Sequence, residues 1–293
     1  MPLKDPPSPD VHPDTRIAVR RPIPKEDHLI KDVIMLKRLS LFPAALLLAA
    51  VLVLPASAQD YTTADEVLKA HIEATGGQAA WEAVDDLYVE AEIVAATPMG
   101  DLTLKMEMWS IFPGYGFTEM ALKSGPDGIP AEAVNMKAYY TPLEGWIEQG
   151  GQRQDMSAVN PQMRQQFQRQ SPKSELELLT SADAELALKD SESYNERDVY
   201  VVSVTQNGVE QDMLIDQETL LILAQRASTP MGDVMTVMGE YVEVDGLLFA
   251  TGQSAETPQG SQSVTFKKFE VNKGLKPATL ASKAGVTKRA MPE

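Results

Sequence analysis

The sequence predicts an α+β protein built on one large, curved antiparallel sheet with covering helices. Three observations lead there. Most of the chain from Leu87 to Val271 alternates apolar and polar residues in runs of strand length, parted by Gly- and Pro-rich breaks. The pentapeptide TPMGD occurs twice, at Thr97–Asp101 and Thr229–Asp233, and a looser TPQGS begins at Thr257. Helical periodicity is confined to the start of this region and its middle. Strand runs without intervening helices argue for a single antiparallel sheet and against βαβ units.

Not all of the 293 residues are expected to join that sheet. Residues 1–34 are proline-rich and charged, a composition that cannot bury enough apolar surface to fold. They read as disordered, or as an upstream extension with translation starting at Met35. From there Lys37 and Arg38 precede an apolar run, Leu39–Leu54, and the small-x-small site Ala56-Ser57-Ala58. That order predicts a secretory signal peptide over 35–58, cleaved after Ala58, and a periplasmic or secreted product. The apolar run is short for a spanning helix, which needs roughly 20 residues; a retained anchor is the alternative. The remaining chain suits one domain over 59–275 with a flexible tail over 276–293.

Of 26 basic and 42 acidic residues, eight and six fall within 1–58, leaving 18 and 36 beyond, a net of −18. So acidic a surface excludes nucleic acid as a partner, since phosphate binding needs clustered Lys and Arg. The chain has no cysteine, which removes disulfides, thiolate metal sites, cysteine nucleophiles and a lipid-modified N-terminus.

The elements follow in order. Thr63 and Glu66 form a capping box, Val67, Leu68, Ile72 and Thr75 share neighbouring helical rows, and Gly76-Gly77 ends that helix. A second short helix carries Trp81. Leu87, Val89, Ala91 and Ile93 then alternate with Tyr88, Glu90 and Glu92, and Leu102, Leu104, Met106 and Met108 alternate with Thr103, Lys105 and Glu107. Pairing Thr97 with Gly100 sets Ile93 against Leu104, Ala91 against Met106, Val89 against Met108 and Glu92 against Lys105. The faces agree, and a one-residue slip would destroy the agreement. Turn preference alone favours a bulged, shifted register. On either register TPMG is a hairpin turn and not an active-site motif: Pro fixes φ, and Gly tolerates positive φ. Further strands read at GFTEMALK, VNMKAYY and GWIEQ. Ser157–Glu185 reads as two short helices. Strands resume at DVYVVSVTQ and continue to QSVTFKKFEV, giving about ten strands in all.

Signals for chemistry are sparse. His71 is the one histidine after the signal segment and lies on the first helix beside Val67 and Ile72, a partly buried structural position. No histidine triad or multi-histidine metal site can be assembled, and no phosphate loop, nucleophile elbow or dinucleotide fingerprint occurs. No catalytic residue, metal site or cofactor is expected. Glu90 and Glu92 share a strand face as glycosidase carboxylates would, yet read most simply as the wet side of a sheet. Asp212 and Asp216 flank an apolar strand and read as turn and strand-end residues, with a hard cation as the alternative. Methionine is the unusual signal: 12 of 14 lie beyond residue 58, several on strands. Flexible, polarizable Met suits a surface that accommodates varied apolar partners; core filling is the alternative.

The stretch ADEVLKAHIEATGGQAAWEAVDDLYVEAEI, with MLIDQETLLILAQ, GEYVEVDGLLFATG and VTFKKFEVNKGL, resembles exported bacterial proteins of the LolA/LolB-like lipoprotein-sorting superfamily over most of Ala64–Leu275. The resemblance implies an unclosed half-barrel whose helices cover a concave apolar face where carriers hold acyl chains. It carries no catalytic signature. The expected function is a non-enzymatic periplasmic carrier or binding protein for an apolar or amphiphilic ligand, a lipid or acylated protein, with an envelope protein as a further partner. Leu104, Met106, Met108 and Met120 are the expected ligand-binding residues. The alternatives are a structural envelope module without ligand and a carboxylate-dependent hydrolase.

Overall fold

The computed structural model describes residues 60–159, 173–206, 208–229, 232–257 and 260–286. The expected extension and signal peptide lie outside them, as does 287–293.

Helix α1 (Ala64–Ala74) opens the domain with the expected capping box: Thr63 Oγ1 accepts from Glu66 N at 3.2 Å, and Glu66 Oε2 accepts from Thr63 N at 3.1 Å. Gly77 N donates to Ile72 O at 2.9 Å, so the double glycine closes the helix by satisfying an orphan carbonyl. Helix α2 (Gln78–Glu82) turns Trp81 inward, where Nε1 donates to Thr75 Oγ1 at 3.2 Å.

Strands β1 (Asp86–Thr97) and β2 (Gly100–Ile111) pair without a bulge, in the register that the side-chain faces predict. The turn is compatible because Thr97 Oγ1 donates to Gly100 O at 2.7 Å and accepts from Met99 N at 3.3 Å. The same Thr–Gly pairing recurs at Thr229–Gly232 and Thr257–Gly260. The repeated motif thus closes three hairpins with the same Thr–Gly pair.

The meander continues through β3 (Tyr115–Ser124), a short helix α3 (Ala131–Val134), β4 (Met136–Tyr140), β5 (Gly145–Gln149) and β6 (Gln152–Asp155). Helices α4 (Met156–Val159) and α5 (Ser174–Thr180) follow, separated by residues outside the described set. A second meander runs through β7 (Ala184–Tyr194), β8 (Arg197–Gln206), β9 (Val209–Asp216), β10 (Ile222–Thr229) and β11 (Gly232–Met238). A hairpin, β12 (Tyr241–Val244) and β13 (Leu247–Ala250), precedes β14 (Gly252–Thr257) and β15 (Gly260–Val271). Helix α6 (Pro277–Lys283) ends the described fold.

The result is a 13-stranded unclosed antiparallel sheet, ordered β6-β5-β4-β3-β2-β1-β15-β14-β11-β10-β9-β8-β7, with β12–β13 as a separate pair. Three expectations change. Edge strands β6 and β7 are additional to the expected strands, and β7 begins at Ala184, inside the stretch expected to form two short helices. GEYVEV and LLFATG are not continuous with their neighbours in the sheet: Gly239 N donates to Gly252 O at 2.8 Å and Thr251 N to Glu240 O at 2.6 Å, and beyond this crossing β12–β13 peels away. The flexible tail expected from residue 276 instead begins with a docked helix, in which Leu280 is 1 % exposed and Ala281 and Ala284 are buried.

The core lies on the sheet's inner face, the side on which α1 packs: Val67, Leu68 and Ile72 meet Val89, Tyr200, Val202 and Ile215. The detached hairpin closes one end, with Leu248 N donating to Thr75 O at 2.9 Å and Phe249 stacked 4.6 Å from Phe269. On the outer face α6 covers an aromatic cluster of Trp109, Phe117 and Tyr139. Arg153 of edge strand β6 donates to Ala284 O at 3.4 Å and lies 3.7 Å from the Trp146 ring centroid, tying that edge to α6.

Elsewhere the outer face is held by ion pairs. Asp212 accepts from Lys189 Nζ at 2.7 Å and from Arg226 Nη2 at 3.1 Å, and Arg226 also reaches Glu192 at 3.2 Å. Burial alone would push the Asp212 carboxyl up, but the hydrogen bonds from Lys189 and Arg226 outweigh it and hold it below its ordinary value. A carboxylate lowered on folding stabilises fully above its unfolded value of about 3.9 and loses that stabilisation as pH falls through the lower folded value. Asp212→Asn should therefore cost about 1–2 kcal/mol at neutral pH and lessen the loss of stability below about pH 4. Urea unfolding of both proteins at pH 7 and pH 3 checks this; an unchanged acid limb would show that Asp212 is not the group responsible.

Candidate functional site

The register sorts the sheet's side chains by charge. One inner row crosses from β15 to β6 as Phe266, Ala91, Met106, Met120, Met136, Gln149 and Gln152, each paired with the next. The adjoining outer row is Lys268, Glu90, Glu107, Glu119, Lys137, Glu148 and Arg153. Along that outer row Lys105 bridges Glu107 at 3.2 Å and Glu90 at 3.7 Å, Lys137 meets Glu119 at 3.2 Å, and Arg153 meets Glu148 at 2.9 Å. Period-two alternation thus puts full charge on one side of the sheet and none along the facing row.

Three of the expected ligand-binding residues come together. Leu104, Met106 and Met120 pack with Phe266 around buried Ala91, Ile93 and Val264, and all three remain half-buried. Met108 lies on the same face but joins the main core beneath α1. The patch is therefore an extension of the core toward the rim formed by the Thr97–Gly100 and Thr257–Gly260 turns. Methionine has no single role in the molecule: Met213 and Met156 are buried, while Met235 packs with Val199 and Val201 on the opposite face. Phe266 and Val264 are members that sequence reasoning missed. Their alternation in QSVTFKKFEV signalled a strand, yet nothing local shows that β15 lies beside β1.

A second feature of the inner face was not foreseen. A cavity of about 160 Å³ lies between α1, α5, β10, β11 and the detached hairpin, lined by residues including His71, Trp81, Gln225, Met238, Tyr241 and Phe249. His71 is 5 % exposed, and its Nδ1 lies 2.7 Å from Leu220 O, the structural position its helical neighbours imply. Tyr241 Oη donates to Ile222 O at 3.1 Å, and burial, with Glu175 nearby, pushes its phenol well up. Gln211 Nε2 donates to Gln225 Oε1 at 2.9 Å.

The carboxylates weighed from sequence lie on the other side. Glu90 and Glu92 face outward, ion-paired with Lys105 and Lys123 respectively. Asp216 accepts from Thr219 N at 2.6 Å, Glu218 N at 3.1 Å and Arg197 Nη1 at 3.3 Å, the turn role read from its position. Among the described residues no group of three or more His, Cys, Asp or Glu side chains is placed to hold a metal ion.

The whole arrangement matches solved structures. A DUF1329 family protein from Desulfovibrio piger aligns with a TM-score of 0.54 at 13 % identity, over 75 % of this chain and 97 % of its own. The fold is LolA-like. A LolA superfamily protein from Nitrosomonas europaea aligns with a TM-score of 0.53 at 13 % identity, over 75 % of this chain and 98 % of its own. A domain described as an outer membrane lipoprotein-sorting protein, from Vibrio parahaemolyticus, gives 0.53 at 14 %, over 75 % and 97 %. No protein-family model matches the chain, and no curated protein does. In this LolA-like frame the inner face is the side that α1 covers, and the ion-paired face is the opposite one. No described helix is long and apolar enough to cross a membrane.

Proposed function

We propose that this protein is a non-enzymatic carrier or binding protein of the bacterial envelope that holds an apolar or amphiphilic ligand on the inner face of its half-barrel. The observation that carries this reading is the half-buried patch of Leu104, Met106 and Met120, continuous with the core and free of charge along its row. Apolar surface of this kind gains roughly 25 cal/mol for each Å² removed from water, so an acyl chain laid along it is stabilised without any new polar contact. The similar proteins described as LolA-superfamily and lipoprotein-sorting agree with a lipid or an acylated protein as the ligand.

Met106→Glu tests the reading. A carboxylate in the middle of the patch must be desolvated by a bound chain, which costs several kcal/mol. Because Met106 is half-buried, the variant should stay folded while affinity for a fluorescent acyl probe falls by about a hundredfold or more. Probe titration beside thermal unfolding separates binding from folding. A wild type that binds no probe, with a Met106→Glu variant that collapses, would point instead to a closed structural module.

The envelope placement rests on the basic, apolar and small-residue order over Met35–Ala58. N-terminal sequencing of the native protein should begin at Gln59. A chain still starting at Met1 or Met35 would remove both the cleavage and the periplasmic assignment.

A further inference from the structure

The inner face differs along its length. At the β1–β3 end the polar complement is small: Leu102, Leu104, Met106 and Met120 dominate. Across β15 to β9 the same face bears amides, with Gln253 paired to Val264, Gln262 to Ala95, and Gln225 to Met213. One row runs directly between the two regions, Leu104–Ile93–Val264–Gln253–Met238, over five adjacent strands. At roughly 4.8 Å per strand it spans about 19 Å. Its last member, Met238, lines the cavity that Gln225 also lines. A track broken only by Gln253 therefore leads from the Met patch to a small, mainly apolar cavity that Gln225 also lines.

Along the sheet the polar groups on this path are amides and hydroxyls, and the cavity adds His71 and Glu175. Gln253 and Gln262 are exposed, and Gln225, whose Oε1 accepts from Gln211 Nε2, lines the cavity. Among the described residues, Glu175 is the one carboxylate and His71 the one imidazole lining that cavity, and neither Lys nor Arg lines it. The lysines of β2 and β3, Lys105 and Lys123, are bound to Glu90, Glu107 and Glu92 on the outside. A buried anion needs a paired cation or a converging set of donors. An uncharged head needs only hydrogen-bond partners, which the amides supply at both ends of their dipole.

We infer that the ligand is an amphiphile with an uncharged, hydroxyl- or amide-bearing head group, such as a neutral acylglycerol or glycolipid, whose head meets the Gln225–Gln262 region while its chain lies over Leu104, Met106 and Met120. This rests on the binding reading above and adds the head-group class to it.

The test holds the chain constant and varies the head. Nile red bound to the protein is displaced in parallel by monoolein, oleate and oleoyl-lysophosphatidylglycerol, each as monomer and at physiological salt. Monoolein should bind about tenfold or more tightly than either anion. Gln262→Lys places a cation at an exposed point of the amide region and should narrow that gap to about threefold or less, with Gln225→Lys as the second, cavity-side variant. Oleate or the lysophospholipid matching monoolein on the wild type overturns the head-group assignment while leaving lipid binding intact. So does a preference unmoved by both lysine variants. Failure of all three lipids to displace the dye overturns the binding reading and this inference together.

Discussion

Gly260→Ala should destabilise the protein by about 3–5 kcal/mol, the largest loss expected from any single methyl group added to its turns. Gly260 has φ +140°, and a Cβ built on it would stand 2.2 Å from Ala96 O. The clash is with main chain on β1, paired with β15 at Ala95–Gln262, so relief requires the two central strands of the sheet to separate. Gly100 holds the equivalent turn position with φ +121°, but its Cβ would meet only the Pro126 ring, at 3.1 Å. A ring on a surface loop can give way, so Gly100→Ala should cost about 1–2 kcal/mol, the backbone strain alone. Urea unfolding of the two variants measures the difference. Equal losses would mean that the turns matter only through φ and that the close approach of Gly260 to β1 is not rigid.

Leu280→Ala should cost about 3 kcal/mol, the usual range for emptying a closed apolar site. Leu280 is 1 % exposed and packs with Ala281 and Ala284 on Trp109, Phe117 and Tyr139, while Lys283 Nζ sits 3.9 Å from the Trp109 ring centroid. Because Trp109 is 8 % exposed beneath this helix, loosening α6 should also shift its emission to longer wavelength. Leu143→Ala is the control, since Leu143 is 77 % exposed and its loss should stay within about 0.5 kcal/mol. A Leu280 variant as stable as the control would show that α6 is not docked on the outer face in solution.

The helix that Leu280 anchors was the part of the fold least legible in the sequence. KPATLASKAG has one strong apolar residue and small neighbours, and its burial comes from the aromatics it meets, which lie on three different strands far earlier in the chain. Edge strand β7 was obscured for a related reason. Leu186 and Leu188 alternate correctly, but only one face of an edge strand is partly covered, and Lys189, Asp190 and Glu192 break the pattern after two repeats. Central strands gave a longer signal. In β1 and β2 charge and apolarity alternate over the full hairpin, so Glu92–Lys105 and Ile93–Leu104 are matched by the sequence alone, and the observed register agrees. The candidate site was half legible. Leu104, Met106 and Met120 follow from local alternation and neighbouring strands, whereas Val264, Phe266 and the cavity depend on where distant segments return. The departure of β12–β13 from the sheet could not be read, because GEYVEV and LLFATG are as good a continuation of a strand as a departure from one.

The central seam joins β1 to β15, so Asp85 and Asp86, at the very start of β1, are bound to Asn272, up to 187 positions later. Each meander can assemble from neighbouring hairpins, yet the pairing that unites them waits for the last strand of the chain. Non-local pairing of this order slows folding, because loop closure must be completed before the contact rewards it. Until β15 arrives, β1 presents twelve residues of unpaired backbone on one side, alternating Leu, Val, Ala and Ile with tyrosine and glutamate. A chain interrupted before Gly260 would therefore carry a bare strand edge at what becomes the middle of the sheet, and strand-to-strand aggregation should begin there.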